Sequence, residues 1–191
     1  MEIQYLPIDW TTYHDLTRKL AATILSYDVK IDQIVAISRG GLTFGHLLSD
    51  FLRVPIATFT IQSYTDIQKQ GEATITEPLK IPIKEKHILL VDDVSDSGTT
   101  LKRALTYLHE FSPKKITTAT MFFKPRSIYR PDYFAKQTTK WILFPYEPTE
   151  MILSITTSME KNGKTKIEIQ KKLLSLGYTT DQIKFVRKYY L

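Results

Sequence analysis

The residues most able to do chemistry are concentrated in one stretch, His87–Leu101, which reads HILLVDDVSDSGTTL. The continuous apolar run His87–Val91 reads as a strand covered on both faces. A strand of that kind delivers its following loop to the carboxyl edge of an open α/β sheet, where such sheets bind ligands. Asp92 and Asp93 come first. Paired carboxylates can accept hydrogen bonds from a vicinal diol such as the 2′- and 3′-hydroxyls of ribose, and can support Mg²⁺, which prefers oxygen ligands. Ser95, Asp96, Ser97, Gly98, Thr99 and Thr100 follow. Small and hydroxylated residues around a glycine let backbone N–H groups converge on a phosphate, and the next helix adds its positive N-terminus. One strand–loop–helix unit can therefore hold both the sugar and the phosphate of a ribose 5-phosphate. A plain helix cap accounts for one or two of these residues, not for three acids beside a Ser-Gly-Thr-Thr run. It is not a Walker A loop either, because no GxxxxGK is present.

The rest of the chain supplies the elements that must position this loop. Trp10–Tyr27 has helical apolar spacing. Ile34–Ser38 reads as a buried strand ending at Arg39-Gly40-Gly41, with a helix through about Leu52. Ile56–Ile61 and Ile116–Phe123 read as further strands, and Gly98–Phe111 as an amphipathic helix. Strands alternating with helices predict an α/β fold with a mainly parallel sheet. The polar segment Ser63–Lys80 breaks the pattern and reads as a long mobile loop, with Ser63, Tyr64 and Lys69 as candidate residues of a lid; the alternative is a β-hairpin excursion with no catalytic duty. Lys161–Leu191 reads as two helices, with Gly177 just past the first and Thr180 or Asp181 capping the second. The expected division is a domain over residues 1–154 and a basic two-helix extension over 155–191.

Bulk composition narrows the class. At 191 residues and 42% hydrophobic, the chain can bury a proper core. The net charge is +6, but Glu160–Leu191 carries +5 of it, so the basic balance belongs to the tail. No apolar run approaches membrane-spanning length. MEIQYLPIDW has no secretory pattern and cysteine is absent, so a cytoplasmic protein is expected.

The Ile88–Leu101 segment closely resembles the phosphoribosyl diphosphate signature loop of type I phosphoribosyltransferases. Three further segments resemble the 6-oxopurine branch of that family, the xanthine–guanine and hypoxanthine enzymes. Ser38-Arg39-Gly40-Gly41 is similar to its diphosphate loop, which implies a cis Ser38–Arg39 peptide with Arg39 and Gly40 at the leaving diphosphate. Phe123-Lys124-Pro125 resembles the purine-contacting segment, which implies that Lys124 donates to the purine 6-oxygen. Trp141–Glu147 (WILFPYE) resembles the segment in which an aromatic ring stacks on the purine, implying roles for Trp141 and Ile142. The resemblance covers about residues 5–150. It departs at Leu143, where an acid is usual, and in the loop, where Lys69 and Gln70 stand in place of an Arg.

The resemblance implies the type I fold with a small hood, here followed by a helical tail. It implies transfer of phosphoribosyl to N9 of a 6-oxopurine, Mg²⁺ as cofactor with Asp93 as its ligand, Asp96 as catalytic base, and a homo-oligomer. Two alternatives accompany it. One is an enzyme for another nucleobase, against which Lys124 and Trp141 argue. The other is a regulator that senses phosphoribosyl diphosphate and binds nucleic acid through its basic tail. A packing or subunit-contact element with lysines on its solvated face is the favoured account of the tail, so no nucleic-acid partner is expected.

Overall fold

In the computed structural model, residues 3–66 and 69–191 are described. The elements in chain order are β1 (Tyr5–Pro7), α1 (Trp10–Ser26), β2 (Gln33–Ser38), α2 (Gly41–Leu52), β3 (Ile56–Asp66), β4 (Lys69–Glu77), β5 (His87–Ser95), α3 (Thr99–His109), β6 (Lys115–Phe123), β7 (Tyr133–Gln137), β8 (Trp141–Leu143), α4 (Pro148–Lys161), α5 (Lys166–Ser175) and α6 (Thr180–Tyr190). They form two compact units, residues 14–139 and residues 1–13 with 140–191.

The larger unit is built on a six-stranded sheet in the order β4-β3-β2-β5-β6-β7. All neighbours are parallel except β4, which runs antiparallel to β3 at one edge. The two central strands are apolar on both faces because both are covered. Val35, Ile37, Ile88 and Leu90 pack with Leu101, Ala104 and Leu108 of α3 in one core. Each such valine, isoleucine or leucine side chain contributes about 1.5–3 kcal/mol on burial. Against α2, a Cβ added at Gly45 would fall 2.9 Å from Ala36 Cβ and 2.8 Å from Ile56 Cδ1. Only a glycine lets this helix lie so close to the sheet. The start of β5 is pinned by polar contacts: Asp32 Oδ2 accepts from His87 N at 2.9 Å, and the His87 ring meets Thr117 Oγ1 at 2.7 Å.

Of the two readings of Ser63–Lys80, the structure gives the hairpin conformation rather than an irregular loop. Most of it belongs to the antiparallel pair β3–β4, with Ser63 opposite Ala73 and Ile61 opposite Ile75. The reason is visible in Ala73-Thr74-Ile75-Thr76: apolar and β-branched residues alternate there, so one face can pack on the core that holds Ile61 and Leu79. Residues 67 and 68 lie outside the described residues.

The smaller unit contains the parallel pair β1–β8, with Leu6 opposite Ile142, and the helices α4, α5 and α6. The expected boundary after Ser154 falls inside α4, which is continuous from Pro148 to Lys161. Its Met151, Ile152 and Ile155 share one core with Ile169, Leu173, Ile183 and Val186 of the next two helices, so the chain is not divided there. Gly177 has φ +92 and follows the C-cap Leu176, as expected of a helix stop. The cap of α6 is Thr179 rather than Thr180 or Asp181: its hydroxyl accepts from Gln182 N while the Gln182 side chain accepts from Thr179 N. No helix among the described residues is long and apolar enough to cross a membrane.

Candidate active site

β5 carries the first functional groups. Asp92 is buried and its Oδ1 accepts from Asp93 N at 3.0 Å. Burial, and then the neighbouring Asp93 charge, push the Asp92 carboxyl well above the usual carboxylate range. The strand then breaks at Asp96-Ser97-Gly98, and α3 starts at Thr99 with Gly98 as its N-cap at φ +83. The amides of the first helical turn have no partner within the helix, which is the arrangement that suits a helix N-terminus to an anion. Ser97 Oγ accepts from Thr99 N at 3.3 Å and shapes the turn.

β2 lies beside β5 in parallel, so the loops leaving both carboxyl ends are neighbours. The Ser38–Arg39 peptide is cis, as the resemblance implied. Gly40 sits directly on the acid pair: a Cβ there would fall 2.5 Å from Asp93 Oδ2. At Gly41 a Cβ would fall 2.6 Å from the Val91 carbonyl oxygen. The two loops therefore touch, and glycine is what permits it.

A third segment, Phe123–Tyr129, closes on the loop from the β6 side. Lys124 N donates to Ser95 O at 3.0 Å and Ile128 N to Ser97 O at 2.9 Å. Ser95 Oγ donates to Tyr129 O at 2.8 Å and meets Ser127 Oγ at 2.8 Å. Ser95 was expected on the phosphate. The structure turns its side chain into the protein, where it is almost wholly buried and ties the loop to this segment. A Cβ at Gly98 would fall 2.5 Å from Ser127 Oγ, so the same segment also fixes that glycine.

Asp96 stands where these pieces meet. Its Oδ2 accepts from Lys124 Nζ at 2.8 Å, and its Oδ1 accepts from Arg126 Nε at 2.8 Å and also from Arg126 Nη2. Partial burial raises the Asp96 carboxyl, but the hydrogen bonds and charges of Lys124 and Arg126 outweigh it and hold the group below its ordinary value. Lys124 is buried, whereas the Arg126 side chain is 68% exposed. Arg126 was missed in the sequence, where an arginine past a strand end reads as a solvated residue.

The profile of the phosphoribosyl transferase domain family matches residues 9–150. This chain belongs to that family. It is 27% identical over 155 residues to the xanthine-guanine phosphoribosyltransferase of Gluconobacter oxydans, covering 79% of this chain and 89% of that protein. Among solved structures, a purine phosphoribosyltransferase from Pyrococcus horikoshii is 31% identical with a TM-score of 0.69, covering 75% of this chain and 94% of the other. The xanthine-guanine-hypoxanthine phosphoribosyltransferase of Helicobacter pylori is 25% identical with a TM-score of 0.67, covering 78% and 98%.

In this phosphoribosyltransferase, Arg39, Gly40, Asp92, Asp93, Ser95–Thr100 and Lys124 are thus brought together at one edge of the sheet of the larger unit. Trp141 and Ile142 lie on β8 in the smaller unit, where Ile142 is buried and Trp141 is half-exposed. Ser63, Tyr64 and Lys69 fall on β3 and β4, and their side chains lie outside the described residues.

Proposed function

We propose that this phosphoribosyltransferase salvages a 6-oxopurine, transferring the 5-phosphoribosyl group from phosphoribosyl diphosphate to N9 of the base. The observation that carries this reading is the Lys124–Asp96 pair, a donor and an acceptor 2.8 Å apart. A 6-oxopurine protonated at N7 offers the complement on one edge: O6 accepts and N7–H donates. An exocyclic amino group at that position presents a donor to the ammonium instead. The purine and xanthine-guanine names of the relatives support the same base class.

The bond from C1′ to diphosphate breaks ahead of the bond to N9, and the leaving diphosphate keeps the electron pair. Its charge is met by Arg39 and the loop amides beside Gly40. Asp92 and Asp93 hold the ribose hydroxyls, and the amides of Ser97–Thr100 hold the 5′-phosphate, fixing C1′ in line. As N9 attacks, Asp96 accepts the N7 proton. Among the described residues no cluster of three or more His, Cys, Asp or Glu forms a metal cage. Mg²⁺ commonly binds through one or two carboxylates plus substrate phosphates, and the partly buried Asp93 carboxylate beside Gly40 fits that need. When bound there with the substrate, Mg²⁺ supplies charge neutralisation on the leaving diphosphate.

The resemblance of Trp141–Glu147 supports Trp141 as the ring that stacks on the purine and Ile142 as a contact of its edge. The hairpin β3–β4, with Ser63, Tyr64 and Lys69, is the candidate cover that excludes water from the activated sugar. A cytoplasmic homo-oligomer using small-molecule substrates completes the reading.

The test is direct. The protein is incubated with phosphoribosyl diphosphate, Mg²⁺ and hypoxanthine, guanine or xanthine, and nucleotide is resolved by anion exchange. Nucleoside monophosphate from at least one base is expected. No nucleotide from any of the three overturns the reading.

A further inference from the structure

We infer that Arg126 is a positioning residue for this reaction, the cation that stays on Asp96 when Lys124 moves to the purine. The inference rests on the 6-oxopurine reading above.

Lys124 and Arg126 occupy different oxygens of one carboxylate, Oδ2 and Oδ1 respectively. One partner can therefore leave without displacing the other. Lys124 is buried and needs a counter-charge or a strong acceptor throughout. If it alone balanced Asp96, its turn toward the purine oxygen would strand a partly buried carboxylate without a cation, at a cost to base binding. Arg126 removes that cost. Two nitrogens of its planar fork converge on Oδ1, which holds that oxygen and leaves Oδ2 free to face the purine edge once Lys124 has turned. The Arg126 side chain is 68% exposed, so it enters from the solvent side and does not compete with the base for the buried position.

The segment that carries Arg126 is itself anchored to the phosphate loop. Ser127 N donates to Lys124 O at 2.9 Å, Ile128 N donates to Ser97 O at 2.9 Å, and Ser127 Oγ meets Ser95 Oγ at 2.8 Å. The base-side cations and the phosphate loop are thus one rigid piece, and Asp96 is the residue both act on. No other charged side chain is paired with Asp96 among the described residues.

The experiment compares wild type with Arg126→Gln and Arg126→Lys, measuring kcat and KM for hypoxanthine and for phosphoribosyl diphosphate, and kcat/KM across pH. Arg126→Gln is expected to raise KM for hypoxanthine by roughly threefold to tenfold, the scale of a partly solvated charge-assisted contact. KM for phosphoribosyl diphosphate stays near wild type. Removing the cation lets the Asp96 carboxyl rise toward its ordinary value, so the acid limb of kcat/KM moves to higher pH. Arg126→Lys restores the acid limb, because charge suffices there, but not the whole of KM, which depends on the fork. A purely structural role for Arg126 moves neither the acid limb nor the KM ratio. An acid limb in Arg126→Gln that coincides with wild type overturns this inference while leaving the salvage reading intact. A wild type inactive on every 6-oxopurine overturns both.

Discussion

Gly40 and Asp93 come from different loops and meet so closely that no side chain fits between them: a Cβ at Gly40 would lie 2.5 Å from Asp93 Oδ2 and 2.6 Å from its Cγ. The contact is what brings the Arg39–Gly41 loop to the Asp93 carboxylate. Gly40 has φ −53, open to any residue, so the requirement is one of space alone. Gly40→Ala should therefore push Asp93 aside while leaving the sheet intact. The expected loss in kcat/KM for phosphoribosyl diphosphate is about a hundredfold, the effect of a displacement near 1 Å in a positioned group. Steady-state kinetics with far-UV circular dichroism on the same sample checks both halves.

Much of this was legible beforehand, and the reasons differ by residue. The strand running through Asp92-Asp93 and the helix opening at Thr99 were readable because both the buried run and the Gly98 break are local features. The cis Ser38–Arg39 peptide was readable only through family resemblance, since nothing local in Ser-Arg requires it. The β3–β4 hairpin was legible only as the lesser alternative, because its one alternating stretch, Ala73–Thr76, is embedded in polar residues that read as a loop. The continuity of α4 across residue 154 was hidden because its apolar face is matched by α5 and α6, far along the chain. Ser95 illustrates another limit: a serine in a phosphate-type loop looks like a ligand, and only the fold reveals that its hydroxyl faces Ser127 and Tyr129.

Asp96→Asn keeps the shape of the carboxyl group and removes its capacity to take a proton. kcat for hypoxanthine should fall between a hundredfold and ten-thousandfold, the range for a positioned general base. Binding of phosphoribosyl diphosphate, followed by calorimetry, should change little. A variant that retains most of the wild-type kcat shows that the proton goes elsewhere.

The tail offers a pH test independent of catalysis. Glu168 closes the capping box of α5, and the Thr165 backbone N–H, the Lys164 ammonium and the Thr165 hydroxyl hold its carboxyl down to about 2. A depressed carboxyl contributes stability that is present above the ordinary glutamate range and is lost as pH falls through the folded value. The Glu168 carboxyl resonance should titrate with a midpoint of about 2. In Thr165→Val the midpoint should move up toward the ordinary value. An unchanged midpoint in that variant contradicts the capping geometry.

The central claim is that Lys124 and Asp96 read the O6 and N7–H edge of a purine. The measurement closest to it is the ratio of kcat/KM for hypoxanthine over adenine, in wild type and in Lys124→Gln. A site built to hydrogen-bond one polar group rejects an analogue that cannot supply it, so wild type should favour hypoxanthine by at least about a hundredfold. Glutamine can donate from its nitrogen or accept with its oxygen, so the ratio should fall by about tenfold or more in the variant. A wild type that uses adenine as well as hypoxanthine, or a ratio unmoved by Lys124→Gln, contradicts the account.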